Sequence, residues 1–403
     1  MHLINRKVRQ KDMFKDSMTL KQWMSLIGLT CAAFIFNTSE FIPIGLLSDI
    51  AEDFSVTEAK AGMIISVYAF VVMLVSLPLM IFASKFDLKK LIISVIFLFT
   101  VFQLLSAVSS GYGMLMMSRI GVACAHSIFW SIVSPLAVRT VPEKFKNTAL
   151  SMIVVGTSVA MIFGLPIGRM IGLYIGWRMT FLCIGIFSFV LMLYLMPVLP
   201  KTPSRGRFSV RKLPVLFKTP MLTSLFVLSF AIATSYYTGY SYIEPFMKQV
   251  AGMSDSLITM TLMIFGGMGI VGSLAFSKLY STYTYRFTNV VIICAVGCLM
   301  LLRLSAYSSV TVILLCCVWG VIFTASNVLL QAEIINNSPA EAVSVSMSIF
   351  SGLFNLGIGC GTYIGGVVCT HASISGVGYA GGVVALLTFV YWRRHVVKAI
   401  RKR

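Results

Sequence analysis

Three ionisable side chains stand inside runs apolar enough to cross a lipid bilayer: Glu40 in CAAFIFNTSEFIPIGLL, and Arg119 and His126 in MSRIGVACAHSIFW. An ionised carboxylate on a lipid-facing helix costs about 2.5–3.5 kcal/mol, so Glu40 must be neutral, paired or turned to an aqueous cavity. Glu40 lies seven residues from the end of its run and Arg119 seven from the start of its own. At about 1.5 Å per residue, both sit about 10 Å below the same surface. Opposite charges at one depth predict one of two things: a permanent ion pair locking two helices, or a carboxylate held ionised until a proton or a conformational change separates the pair. The second is proton coupling, with Glu40 the expected proton site and Arg119 its partner. His126 and Trp130 follow Arg119 by seven and eleven residues, so the three share one helix face. A histidine there can relay protons near neutral pH or donate to a ligand hydroxyl, or it can close an interhelical hydrogen bond. Trp130 can stack on a ligand or pack.

A second group of polar residues carries no charge. Tyr236, Tyr237 and Tyr240 cluster in ATSYYTGYSYIEPF; buried tyrosine hydroxyls need partners, so they are expected to form a cavity wall. Asn327, Gln331 and Asn355 offer side-chain amides, which form paired hydrogen bonds to adjacent hydroxyls and leave no charge unpaired against an uncharged ligand. They can equally join helices to one another. Glu244, beside Pro245 near the end of its run, reads as an interfacial carboxylate, with a gate the alternative. The sequence holds no GxxxxGK[ST], no GxSxG, no HExxH and no paired carboxylates within one run. Neither an ATP-driven pump nor a membrane hydrolase is expected, and the energy must come from a gradient. The nine cysteines all fall within apolar runs or, for Cys369, at the edge of one, where they act as small apolar residues; no metal or cofactor is expected.

The elements that must position these residues are membrane helices. The 403 residues are 58% hydrophobic and 11% charged, against about 25% charged in soluble proteins. Twelve runs reach the roughly 20 residues that a hydrocarbon core requires: 22–47, 61–84, 91–110, 112–138, 148–170, 176–197, 221–247, 257–281, 287–306, 309–335, 341–368 and 374–392. The one long polar interruption, 198–220, divides them into two six-helix bundles, 22–197 and 221–392, flanked by basic ends at 1–21 and 393–403. The net charge of +19 comes from short loops and tails beside apolar runs, so it implies an anionic membrane face and no nucleic acid. Twenty-six Lys and Arg fall on the side of both termini and five (Lys60, Arg169, Arg178, Lys248, Arg303) on the other, which predicts cytoplasmic termini. The turn around Glu333 to Glu341 has no Lys or Arg. No cleavable signal is expected, because the first run is too long and continues through Glu40.

The halves echo each other: SMIVVGTSVAMIFGLPIG answers MSIFSGLFNLGIGCGTYIG, and NTSEFIP answers SYIEPF. Repeated six-helix halves with closely approaching glycines suit an alternating-access carrier whose site lies near mid-membrane.

FNTSEFIPIGLLSDIA, RIGVACAHSIFWSI, GLPIGRMIGLYIGWRMTF and YSYIEPF, in this order along the chain, resemble the major facilitator superfamily, its drug/proton antiporter branch and within it the bacterial sugar efflux transporters. That resemblance places the family's fourth-helix arginine on Arg119 and its fifth-helix glycine motif on Gly156, Gly164, Pro166 and Gly168, with Arg169 where a second glycine is usual. The family's loop between helices two and three is poorly kept at Ser84, Lys85, Phe86, Asp87, Lys89 and Lys90. What it implies is an all-α major facilitator fold in a bacterial inner membrane, a monomer, exporting sugars in exchange for protons. Glu40 and Arg119 would couple the proton, and His126, Trp130, Tyr236, Tyr237, Tyr240, Asn327, Gln331 and Asn355 would line the site. A multidrug or nucleoside exporter of the same branch is the rival reading.

Overall fold

The computed structural model describes residues 18–83, 86–203, 217, 219–339 and 343–397. The basic segment before Met18, Ser84 and Lys85, most of the linker with Arg205, Arg207, Arg211, Lys212 and Lys218, Glu341, and the tail from Lys398 lie outside the described residues.

Every regular element among the described residues is a helix. Helix closes the backbone hydrogen bonds within each segment, which is what a long apolar run requires in lipid. Twelve helical stretches are long and apolar enough to span: 1, Leu20–Gly45; 2, Glu58–Ala83; 3, Leu88–Ala107; 4, Tyr112–Thr140; 5, Glu143–Ile175; 6, Trp177–Val198; 7, Pro220–Gln249; 8, Asp255–Tyr280; 9, Tyr285–Ser305; 10, Ser309–Asn337; 11, Val343–His371; and 12, Ile374–His395. Spans 8 and 9 are two spans, as expected, joined without a loop: Asp255–Ser305 is helical throughout. Yet the chain folds back between them, since the Phe276 and Phe287 rings lie 6.1 Å apart where a straight helix would hold them about 16 Å apart. An even number of spans puts both termini at one end of the bundle, here the termini end; the opposite is the far end.

Two bundles result. Spans 1 to 6 pack on one another and spans 7 to 12 likewise, while span 2 lies along span 11 and span 5 along span 8 to join the halves. Glycines set how closely the halves approach: a Cβ on Gly266 of span 8 would lie 2.5 Å from the Met161 carbonyl oxygen of span 5. The first helix of each half breaks near its far end, at Leu46 and at Ser241–Tyr242, and resumes as a seven-residue cap helix, Leu47–Asp53 or Ile243–Gln249. The two cap helices touch across the halves.

Candidate functional site

Span 1 carries a backbone defect where the chemistry is. Pro43, inside the helix, has no N–H for the carbonyl four residues back, so Ser39 is left with an open acceptor. Arg119 closes it: Nη2 donates to the Ser39 carbonyl oxygen at 2.8 Å and Nη1 to Ser39 Oγ at 3.1 Å. The Ser39 hydroxyl also accepts from Gln103 Nε2 of span 3. Arg119 is 1% exposed, with its Cζ 4.8 Å from the Tyr68 ring centroid and 5.5 Å from that of Phe181. The sequence left open whether Arg119 and Glu40 touch; among the described residues no direct ion pair joins them. The two share a depth, but one helical step from Ser39 turns the Glu40 side chain about 100° away.

Glu40 faces His126 instead, with Oε2 3.7 Å from Nε2 and side chains 11% and 3% exposed. That is too long for a direct hydrogen bond and suits a charge contact or one bridging water. The His126 ring stands edge-on to Tyr68 at 5.5 Å and Trp130 at 5.9 Å. Its Nδ1 and the Tyr68 hydroxyl are buried without partners among the described residues. A carboxylate, an imidazole and a phenol thus converge among spans 1, 2 and 4, able to hold a proton and to bond a polar ligand.

The tyrosines of span 7 divide. Tyr237 reaches the other half, its ring 6.3 Å from Phe41 beside Glu40, and meets Phe323 and Phe354 edge-on at 6.2 and 6.4 Å. Tyr236 and Tyr240 stack at 4.8 Å and turn into the second half against Trp319 and Phe265. There Tyr236 lines a pocket with Ser235, Ser326 and Thr388 of about 20 Å³, room for about one water. Asn327 and Gln331 bond each other at 2.5 Å, and no contact joins them to Glu40 or His126 among the described residues. Asn355 is buried next to Phe354; its Nδ2 donates to the Ser351 carbonyl at 3.0 Å and its Oδ1 is unpartnered.

The glycine motif of span 5 brings that helix onto span 1. A Cβ on Gly156 would meet the Thr30 carbonyl oxygen at 2.5 Å, Gly164 sits against Thr38, and Gly168 packs against Ile42. A π-turn at Ala160–Gly164 precedes Pro166 and accommodates its missing N–H. The next turn delivers Arg169, wholly buried, to the far end. Its Nη1 donates to the carbonyl oxygen of Gly45, the last residue of the span 1 helix, at 2.5 Å and lies 3.2 Å from Glu244 Oε1; its Nη2 pairs with Asp255 Oδ1 at 2.9 Å. Glu244 Oε2 accepts from Ser48 N–H at 3.2 Å and Ser48 Oγ at 2.9 Å. Glu244, read from the sequence as an interfacial carboxylate, is 0% exposed and pinned between the halves. Gln249 Nε2 donates to Glu58 Oε1 at 2.5 Å beside it. Asp87 of the loop before span 3 forms no ion pair among the described residues; it caps span 3 through Lys90 N–H at 3.1 Å and accepts from Thr202 N–H at 2.9 Å.

Sequence reasoning missed Ser39, Gln103, Tyr68 and the Arg169–Glu244 pair. Pro43 was the available signal for the first, since a proline in a membrane helix announces an open carbonyl four residues earlier. Gln103 and Tyr68 are uncharged residues in apolar runs and carried no signal of their own.

Two six-helix halves meeting around buried polar groups define a membrane transporter rather than an enzyme. Residues 29–351 match the major facilitator superfamily, and the chain belongs to that family. Among solved structures it is similar to a bacterial homologue of the human lysosomal transporter Spinster, inward-facing and unoccupied, at TM-score 0.79 and 16% identity over 96% of this chain and 99% of that one. It is similar also to a mutant peptide transporter POT in complex with alafosfalin, at 0.72 and 12% over 94% and 99%. A third is the human organic anion transporter TETRAN, at 0.68 and 12% over 93% and 100%. At these identities the likeness is one of fold.

Proposed function

We propose that the protein is a proton-coupled antiporter that exports sugars or sugar-like small molecules across the bacterial inner membrane by alternating access, with both termini cytoplasmic. The observation that carries this is the buried Glu40 carboxylate, 3.7 Å from His126 and not neutralised by a direct pair with Arg119. Such a group can take up and release a proton as its access to water changes. Around it, Tyr68, His126, Tyr237 and Asn355 supply uncharged polar groups and aromatic faces, a lining suited to a neutral, hydroxyl-rich ligand. In this state the Arg169–Glu244 contacts bridge the halves at the far end, so the far end is shut. Export requires that end to open, and the bridge is its natural latch.

A multidrug or nucleoside antiporter is the second reading, favoured by the same unneutralised Glu40, since a cationic drug needs a carboxylate. Proteoliposomes with an internal pH dye, challenged with pentoses, hexoses, galactosides and cationic drugs, separate the two. Proton movement driven by a sugar in wild type and not in Glu40→Gln is the expected result. A response to drugs alone removes the sugar assignment, and no response to anything removes the proton coupling.

A further inference from the structure

Away from the pathway, at the termini end of the first half, a polar cavity of about 470 Å³ is lined by Arg139, Glu143, Lys146, Lys201 and Thr202 among flanking prolines and valines. Three elements build it. Arg139 comes from the last turn of span 4, Lys146 from the start of span 5, and Lys201 and Thr202 from the chain just after span 6. That last stretch is held on two sides: Thr202 exchanges hydrogen bonds with Asp87 and with Leu88 N–H at 2.9 Å each, and Arg139 Nη1 donates to the Pro203 carbonyl at 3.2 Å.

The charges do not cancel. Glu143, the acidic group in the wall, is paired with Lys146, and both Asp87 oxygens are taken by backbone N–H groups. Arg139 and Lys201 have no carboxylate partner among the described residues. A guanidinium with unfilled N–H groups and an ammonium on the wall of one cavity match the tetrahedral oxygens of a phosphate. The cavity also opens within a few residues of where spans 4 and 6 end, at Thr140 and Val198, which is the depth of lipid headgroups.

We propose that this cavity binds a phosphate-bearing anion, the headgroup of an anionic phospholipid or free phosphate, clamped by Arg139 and Lys201 where the inter-half linker departs. The proposal is independent of the cargo. The test is native mass spectrometry of the full-length protein in neutral detergent, titrated with phosphatidylglycerol, phosphatidylcholine or inorganic phosphate, for wild type, Lys201→Gln and the double variant Arg139→Gln/Lys201→Gln. Lys201→Gln keeps the Arg139–Pro203 contact, and thermal melting verifies the fold of each variant. The expected result is phosphatidylglycerol retained in preference to phosphatidylcholine, weakened severalfold by Lys201→Gln and about tenfold or more by the double variant. Displacement of phosphatidylglycerol by millimolar phosphate, or phosphate binding alone with the same dependence on the two cations, identifies free phosphate as the ligand. Equal retention of both lipids with no phosphate binding, or binding unchanged in the folded double variant, overturns the proposal.

Discussion

Because Pro43 has no amide hydrogen, the carbonyl of Ser39 cannot be closed within its own helix, and Arg119 is held there by a charged hydrogen bond. On these grounds Arg119 is expected to act through structure, and Glu40, the proposed proton site, through chemistry. Arg119→Gln should therefore cost about 2 kcal/mol, the usual worth of a hydrogen bond to a charged group, and lower the melting temperature in detergent. Glu40→Gln should melt close to wild type, retain substrate exchange down equal gradients and lose proton-driven accumulation. Equal destabilisation by the two changes would return them to a single structural ion pair. His126→Gln should weaken proton coupling less completely than Glu40→Gln, since the carboxylate keeps its burial without the imidazole; the same pH-dye assay measures it. Much of this site was legible as residue type and depth: Glu40, Arg119 and His126 stand out because charge is costly in an apolar run. Which of them touch was not, because side chains at one depth differ in direction by their place on the helical turn.

At the scale of elements, the glycines of span 5 let it lie against span 1, and the π-turn before Pro166 sets how its last turn reaches the far end. Gly168→Val would push into Ile42 and the Thr180 methyl, the latter 3.1 Å from a Cβ there. Overpacking of this kind costs about 1–3 kcal/mol and should appear as a lowered melting temperature together with loss of transport. Arg169, delivered by the same turn, holds two carboxylates of the other half. Arg169→Met leaves Glu244 buried and unpaired, a cost of about 3–5 kcal/mol to the shut far end. The expected outcome is a population shifted toward the far-open state, read as increased reaction of a far-end cysteine probe with an impermeant thiol reagent; exchanging the charges, Arg169→Glu with Glu244→Arg, should restore part of the closure. Asp49 on the neighbouring cap helix adds a pH dependence. Burial pushes its carboxyl above the ordinary aspartate range, against the pull of Arg169 and Lys248 and aided by Asp255 and Glu52. A raised carboxylate favours the state that buries it at low pH, and that contribution is lost as pH rises through the shifted value. Probe reaction should thus increase with pH in wild type and do so less in Asp49→Asn. The helices themselves were readable from hydropathy, and the glycine motif only through the family resemblance. The Arg169–Glu244 pair was hidden because its members lie in different halves and near span ends, where charged residues are ordinarily solvated.

For the whole molecule, the free energy that the proposed proton antiport would draw on is modest and sufficient. A potential of about 150 mV supplies about 3.5 kcal/mol per proton, which at about 1.4 kcal/mol per factor of ten sustains a neutral-substrate ratio of about 300. That work can be coupled only if the two ends never open together, and the inter-half contacts at the far end make this testable. Glu58 and Gln249 lie on opposite halves and are joined side chain to side chain. Cysteines placed there, Glu58→Cys with Gln249→Cys, should be bridged by a short cleavable bifunctional thiol reagent in the far-shut state. Bridged protein in proteoliposomes should still bind substrate from the termini end yet carry none across, and cleaving the bridge should restore the flux, while neither single cysteine variant shows the effect. Flux that survives complete bridging would mean that the far end need not part between spans 2 and 7. The latch at Arg169 would then be a permanent strut, and substrate would leave by another opening.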